Sequence, residues 1–77
     1  MDPNQIMSIQ DEAIAATREI TDPTVRFRRL LDAVRGSTEG NALLDEAADL
    51  ARNLEAPEDR SAALWRVYDT AVRTTRY

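Results

Sequence analysis

The chain has 77 residues, which is enough for one domain with a modest core, because so short a chain buries only about 60% of the surface that it exposes when unfolded. It contains no cysteine, histidine or lysine, which excludes disulfide bonds, thiolate or imidazole metal ligands, and the usual bases that activate a serine nucleophile. The formal charge of −4 argues against a non-specific nucleic-acid coat, whose affinity comes from neutralising phosphates with basic side chains.

No stretch approaches the roughly 20 apolar residues that cross a bilayer, and residues 1–10 lack a basic region followed by an apolar one. We therefore expect a cytoplasmic protein that makes no membrane contact. Ten arginines without lysine indicate GC-rich coding DNA, and hence an actinobacterial or phage origin.

Apolar spacing predicts four helices and no strand. The first runs from Asp2 or Ser8 to Ile20, and Asp2, Pro3 and Gln5 fit a capped start. The second begins at Asp22–Pro23 and ends near Gly36, where a left-handed conformation would close it. The stripes predicted to be buried are Ile6, Ile9, Ala13, Ala16 and Ile20 on the first helix and Phe27, Leu30, Leu31 and Val34 on the second.

The third helix begins near Asn41, and Pro57 breaks the chain before a fourth helix from about Glu58 to Arg76. Burial is predicted for Leu43, Leu44, Ala47, Leu50, Ala51 and Leu54 on the third helix and for Leu64, Trp65, Tyr68, Ala71 and Val72 on the fourth. Trp65 and Tyr68 are expected in the core. Were their face uncovered, they would instead anchor an interaction.

These elements predict an all-α fold, a small up-down bundle of four helices in a single domain over residues 1–77, with hairpins at about 2–35 and 41–76. A shift of 34 residues matches several positions of the two hairpins, among them Pro23 with Pro57, Arg26 with Arg60 and Leu30 with Leu64. The match favours two similar hairpins, although any two helix–proline–helix units resemble each other. Tetratricopeptide repeats share this length, but their small and aromatic residues are out of register here.

Charge alternates along the chain. Residues 1–22 and 36–57 each carry a net charge of −4, whereas residues 23–35 carry +3 and residues 58–77 carry +1. The basic helices either pair with the acidic ones in exposed salt bridges or present a basic face to an acidic partner or to phosphates. The candidate partner-binding residues are Arg26, Arg28, Arg29, Arg35, Arg60, Arg66 and Arg73, and Arg76 extends the second group.

Asp45, Glu46 and Asp49 lie together on the third helix, and we interpret them as a solvated acidic face rather than a divalent-cation site. Gly36 and Gly40 match neither phosphate-binding glycine pattern. We therefore expect no enzyme activity, no metal and no cofactor.

Residues 13–34 resemble the N-terminal helical hairpin of small actinobacterial helix-turn-helix regulators. Residues 49–65 look like a helix-turn-helix in which Arg60 and Arg66 lie on the would-be recognition helix, although Glu55 replaces the usual turn glycine and Ser61 replaces a buried aliphatic residue. The resemblance implies that the fourth helix enters the major groove of DNA.

Two functions are therefore open. The first is a non-enzymatic regulatory or adaptor protein that binds a protein partner through a helix face, or binds itself as a homodimer. The alternative is a DNA-binding transcriptional regulator with a degenerate helix-turn-helix.

Overall fold

A computed structural model describes residues 1–75, and in this part of the chain every regular element is a helix. The helices are α1 (Pro3–Arg18), α2 (Pro23–Val34), α3 (Gly40–Arg52) and α4 (Pro57–Thr75). The predicted all-α four-helix fold is confirmed. The predictions for Arg76 lie outside the described residues.

The predicted starts of α1 and α2 are confirmed by their caps. Asp2 accepts a hydrogen bond from the Gln5 amide at 2.9 Å, and the Gln5 side chain accepts one from the Asp2 amide at 3.0 Å, which completes a capping box. Asp22 accepts hydrogen bonds from the Thr24 and Val25 amides, and Pro23 follows it. Proline fits the first helical position because the missing amide would have no partner there.

The prediction that Gly36 closes α2 in a left-handed conformation is wrong, since no glycine among the described residues has a positive φ. The helix ends two residues earlier, at Val34, and the chain leaves it through a right-handed turn. The Gly36 carbonyl accepts a hydrogen bond of 2.6 Å from the Gln10 side chain of α1. Gly40 is the glycine that packing requires, because a Cβ there would lie 3.1 Å from the Val34 carbonyl oxygen.

The helices pack in chain order, α1 on α2, α2 on α3 and α3 on α4, and α2 also contacts α4. The Cα atoms extend over 44 × 33 × 14 Å, a thickness that accommodates two helix layers about 8–10 Å apart. A salt bridge also joins α1 to α3. The buried core lies mainly between α2 and α3, and its members are Ile14, Phe27, Leu30, Val34, Leu43, Leu44, Ala47, Ala51 and Ala63.

The predicted buried faces of α1 and α4 are wrong for most of their residues, although Ile20, Ala71 and Val72 are half-buried. On α1 the side chains of Ile6 and Ile9 are 55% and 50% exposed, and the buried residue of the helix is Ile14. On α4 the side chains of Trp65 and Tyr68 are 68% and 60% exposed, Leu64 is also exposed, and Ala63 is buried instead. Each outer helix contacts the rest of the molecule along one side, so a second apolar side stays uncovered.

The turns of the two hairpins carry matching hydrogen bonds at the 34-residue offset, although Asp22 caps α2 and its equivalent Ala56 has no side chain that could cap α4. The Ile20 amide donates to the Thr17 carbonyl at 3.2 Å, as the Leu54 amide does to Ala51, also at 3.2 Å. The Arg26 guanidinium donates to the Ile20 carbonyl at 3.0 Å, and Arg60 donates to the Leu54 carbonyl at 2.9 Å. The prediction of two similar hairpins is thereby confirmed at their turns.

Candidate functional site

One exposed apolar surface lies on α4. We call it the aromatic face and define it by Ser61, Leu64, Trp65 and Tyr68, with Pro57 and Arg60 at its end. The rings of Trp65 and Tyr68 meet edge to face, with centroids 5.5 Å apart and planes at 87°. This geometry is favourable for aromatic pairs, so the two side chains hold each other in place although both are exposed.

Arg60 borders the aromatic face but is engaged within its own hairpin. Besides the Leu54 carbonyl, its guanidinium reaches the Glu55 carbonyl at 3.3 Å, and the side chain is half-buried. Arg26 is also half-buried and bonded to a carbonyl at the equivalent turn. These two predicted partner-binding residues therefore hold the turns together, since arginine donors satisfy carbonyls that a helix end leaves unpaired.

Four of the other predicted arginines come together in one place. Arg28 of α2, Arg35 just after its end, and Arg66 and Arg73 of α4 line a cleft between these helices, which we call the arginine cleft. Its remaining lining residues are Leu31, Asp32, Asp69 and Thr70. The two sequence groups of arginines thus form a single surface, because α2 and α4 lie side by side.

Only part of the positive charge in the arginine cleft is neutralised. Arg73 pairs with Asp69 at 3.3 Å, one turn earlier on α4. Arg28, Arg35 and Arg66 form no ion pair within residues 1–75. With four arginines and two aspartates, the cleft carries an excess of positive charge.

Arg29 lies apart from the arginine cleft. It is 3.9 Å from Asp32 and borders a groove between α1 and α2 that Gln10, Ala13 and Ile14 line. The seven predicted arginines therefore divide into four in the cleft, two at the turns and one beside α1.

The α1–α3 contact is a bidentate salt bridge between Arg18 and Glu46, with nitrogen–oxygen distances of 3.0 to 3.2 Å. The hydrogen bonds and negative charge of Glu46 raise the pKa of Arg18. Asp49, on the same helix, pairs with Arg52 at 3.0 Å. Glu46 and Asp49 are thus each paired with an arginine, and no group of three or more acidic side chains among the described residues is arranged to hold a metal ion.

None of the described helices is both long enough and apolar enough to cross a bilayer. No protein-family model, curated protein or solved structure matches the chain.

Sequence reasoning missed the residues that complete these two surfaces. Leu31, Asp32, Asp69 and Thr70 line the arginine cleft, and a cleft between helices that are distant in the chain leaves no local sequence signal. The exposure of the aromatic face, however, could have been predicted from the 34-residue offset in the sequence. Leu64 matches Leu30 in the 34-residue offset, and Leu30 is covered by a helix that follows it, whereas α4 has no fifth helix after it within the described residues.

Proposed function

We propose that this chain is a non-catalytic regulatory or adaptor protein that binds a protein partner through the aromatic face. The observation that carries the proposal is the exposure of Trp65 and Tyr68 next to Leu64 on a single helix face. Tryptophan and tyrosine are the residues most enriched at the energetic centre of protein interfaces, and an aromatic pair already ordered by its own contact loses little entropy on binding.

The shape of the aromatic face suits a helical partner. Its members occupy positions 61, 64, 65 and 68, a spacing of three and four residues that follows one side of α4. An amphipathic helix laid along such a side buries its own apolar stripe in return. The absence of histidine, cysteine and lysine from the sequence supports a binding role over a catalytic one.

Photo-cross-linking tests this proposal. A photoreactive phenylalanine analogue replaces Trp65, the protein is irradiated in an extract of its source cells, and the products are identified by mass spectrometry. A matched control places the analogue at Met7, which is exposed on α1 away from the proposed surface. We expect protein adducts from position 65 and not from position 7. Equal labelling from both positions, or none from position 65, contradicts the proposal.

A DNA-binding regulator is the second candidate, and the arginine cleft favours it. Three of its arginines have no ion pair within residues 1–75, and such side chains can neutralise phosphates. If they do, Arg28→Gln and Arg66→Gln should each reduce the slope of log affinity against log salt by about 1. A mobility-shift assay on genomic fragments that detects no complex even at low salt rules this candidate out.

A further inference from the structure

The 34-residue offset relates the uncovered face of α4 to a covered face of α2. Ser61, Leu64, Trp65 and Tyr68 correspond in order to Phe27, Leu30, Leu31 and Val34. Phe27, Leu30 and Val34 are at most 3% exposed. Val34 lies against Gly40 and Leu30 borders Leu50, so α3 covers these two residues of α2. Leu31 instead lines the arginine cleft beside α4.

The same offset relates the uncovered face of α1 to the side of α3 that packs on α2. Ile9 corresponds to Leu43 and Ala13 to Ala47, and these two α3 residues are completely buried. Ala16 corresponds to Leu50 and Ile6 to Gly40. The apolar stripe of α1 thus has the spacing of the side of α3 that packs on α2, but Ile6 and Ile9 are 55% and 50% exposed, and Ala13 lines the groove beside α2.

We propose that the aromatic face of one molecule binds the α1 face of a second copy, so that α1 of the second copy lies on α4 as α3 lies on α2. The contact is head-to-tail, because it joins two different surfaces and leaves one of each free. This inference rests on the proposed function and identifies the protein partner as a second copy of the same chain.

Charge complementarity supports the second copy as the occupant. Within one chain Arg18 at the end of α1 binds Glu46 of α3 at 3.0 Å. The equivalents of these residues are Arg52 and Glu12. A second copy in the repeat position therefore brings its Glu12 to Arg52 at the end of α3. Arg52 is exposed, with Asp49 beside it at 3.0 Å, and Glu12 is exposed on α1 with no ion pair within residues 1–75.

The intermolecular pair of helices is not an identical copy of the α2–α3 pair. Ile6 stands where α3 has Gly40, and Tyr68 stands where α2 has Val34, so the two helices must lie farther apart at that end. Ser61 replaces Phe27, and this smaller side chain leaves room for the second molecule at the other end. The aromatic rings then fill the wider gap between the helices.

Sedimentation over a range of concentrations tests the inference with three exposed substitutions. Ile9→Glu places a charge on the α1 face, and Tyr68→Glu places one on the aromatic face. Met7→Glu is the matched control, because Met7 is 45% exposed on the same helix as Ile9 but corresponds to Asn41, which is exposed on α3. Circular dichroism verifies that each variant keeps the helical content of the wild type.

We expect the wild type and Met7→Glu to associate as concentration rises. Ile9→Glu and Tyr68→Glu should each weaken association at least about thirtyfold, the change that corresponds to a hot-spot residue at about 2 kcal/mol. Mixed together, they should form a complex with one intact contact, in which α1 of the Tyr68→Glu chain binds α4 of the Ile9→Glu chain. The inference is overturned if the wild type does not associate, or if both variants associate as tightly as the wild type.

Charge reversal tests the register of the contact. Arg52→Glu and Glu12→Arg should each weaken association, and the two changes in one chain should restore it. Weakening by both single changes without recovery in the double variant overturns the predicted pairing.

The outcomes separate this inference from the proposed function. In one outcome the purified protein does not self-associate, while the analogue at position 65 labels a different protein specifically. In that case the partner is not a second copy, and the aromatic face is still a binding surface. If position 65 labels neither a second copy nor another protein, both proposals fail.

Discussion

The single side chains that do most to define the turns are Arg26 and Arg60. Each donates to a carbonyl at the end of the preceding helix, at 3.0 and 2.9 Å respectively, and each is half-buried. Their removal leaves a partly buried carbonyl without its donor, which costs more than the loss of an exposed contact.

We therefore predict that Arg26→Met and Arg60→Met each lower the free energy of unfolding by about 1 to 2 kcal/mol, within the range for a hydrogen bond from a charged donor after allowance for partial exposure. Arg28→Met is the control, since Arg28 is exposed in the arginine cleft, and it should change stability by less than about 0.5 kcal/mol. Urea titration measures all three. Equal effects of the three substitutions would contradict a special role for the turn arginines.

The residue types of the site were visible in the sequence, but their roles were not. All seven candidate arginines were chosen because they cluster along the chain. Whether an arginine binds a carbonyl, as Arg26 does, or faces an open cleft, as Arg66 does, depends on which helices lie side by side. That arrangement has no local signature.

At the scale of the helices, an acidic cap residue followed by proline predicted where α1 and α2 begin. The acidic side chain accepts hydrogen bonds from the first backbone amides, and proline has no amide that needs a partner. The apolar stripes of α2 and α3 were also predicted correctly, since both helices have neighbours on two sides. The stripes of α1 and α4 were predicted to be buried, but their largest side chains are exposed. Periodicity shows that a helix has an apolar side, but not whether the chain supplies something to cover it.

Substitutions at the equivalent positions Leu43 and Ile9 test whether the apolar stripes of α3 and α1 differ in burial. Leu43 is completely buried and Ile9 is half-exposed. We predict that Leu43→Ala lowers the free energy of unfolding by about 2 to 5 kcal/mol, whereas Ile9→Ala changes it by less than about 0.5 kcal/mol in dilute protein. Chemical denaturation at low concentration gives both values. A large loss of stability for Ile9→Ala would contradict the half-exposed position of Ile9.

At the scale of the whole molecule, the two hairpins stack so that each covers one face of the next. Because the helices pack in chain order, each basic helix lies against an acidic one. Within residues 1–75, large apolar side chains are exposed on both α1 and α4. The sequence carried the 34-residue offset that relates these faces, but their exposure followed only from the order in which the helices pack.

The fluorescence of Trp65 tests the central claim most directly, because Trp65 is the only tryptophan in the sequence and lies on the aromatic face. We predict that its emission is that of a solvent-exposed indole in dilute protein and shifts to shorter wavelength as concentration rises. The shift should occur in the wild type and in Met7→Glu but not in Ile9→Glu, whose substitution is on a different helix. Emission typical of a buried indole in dilute protein, or emission that does not change with concentration, would contradict the account.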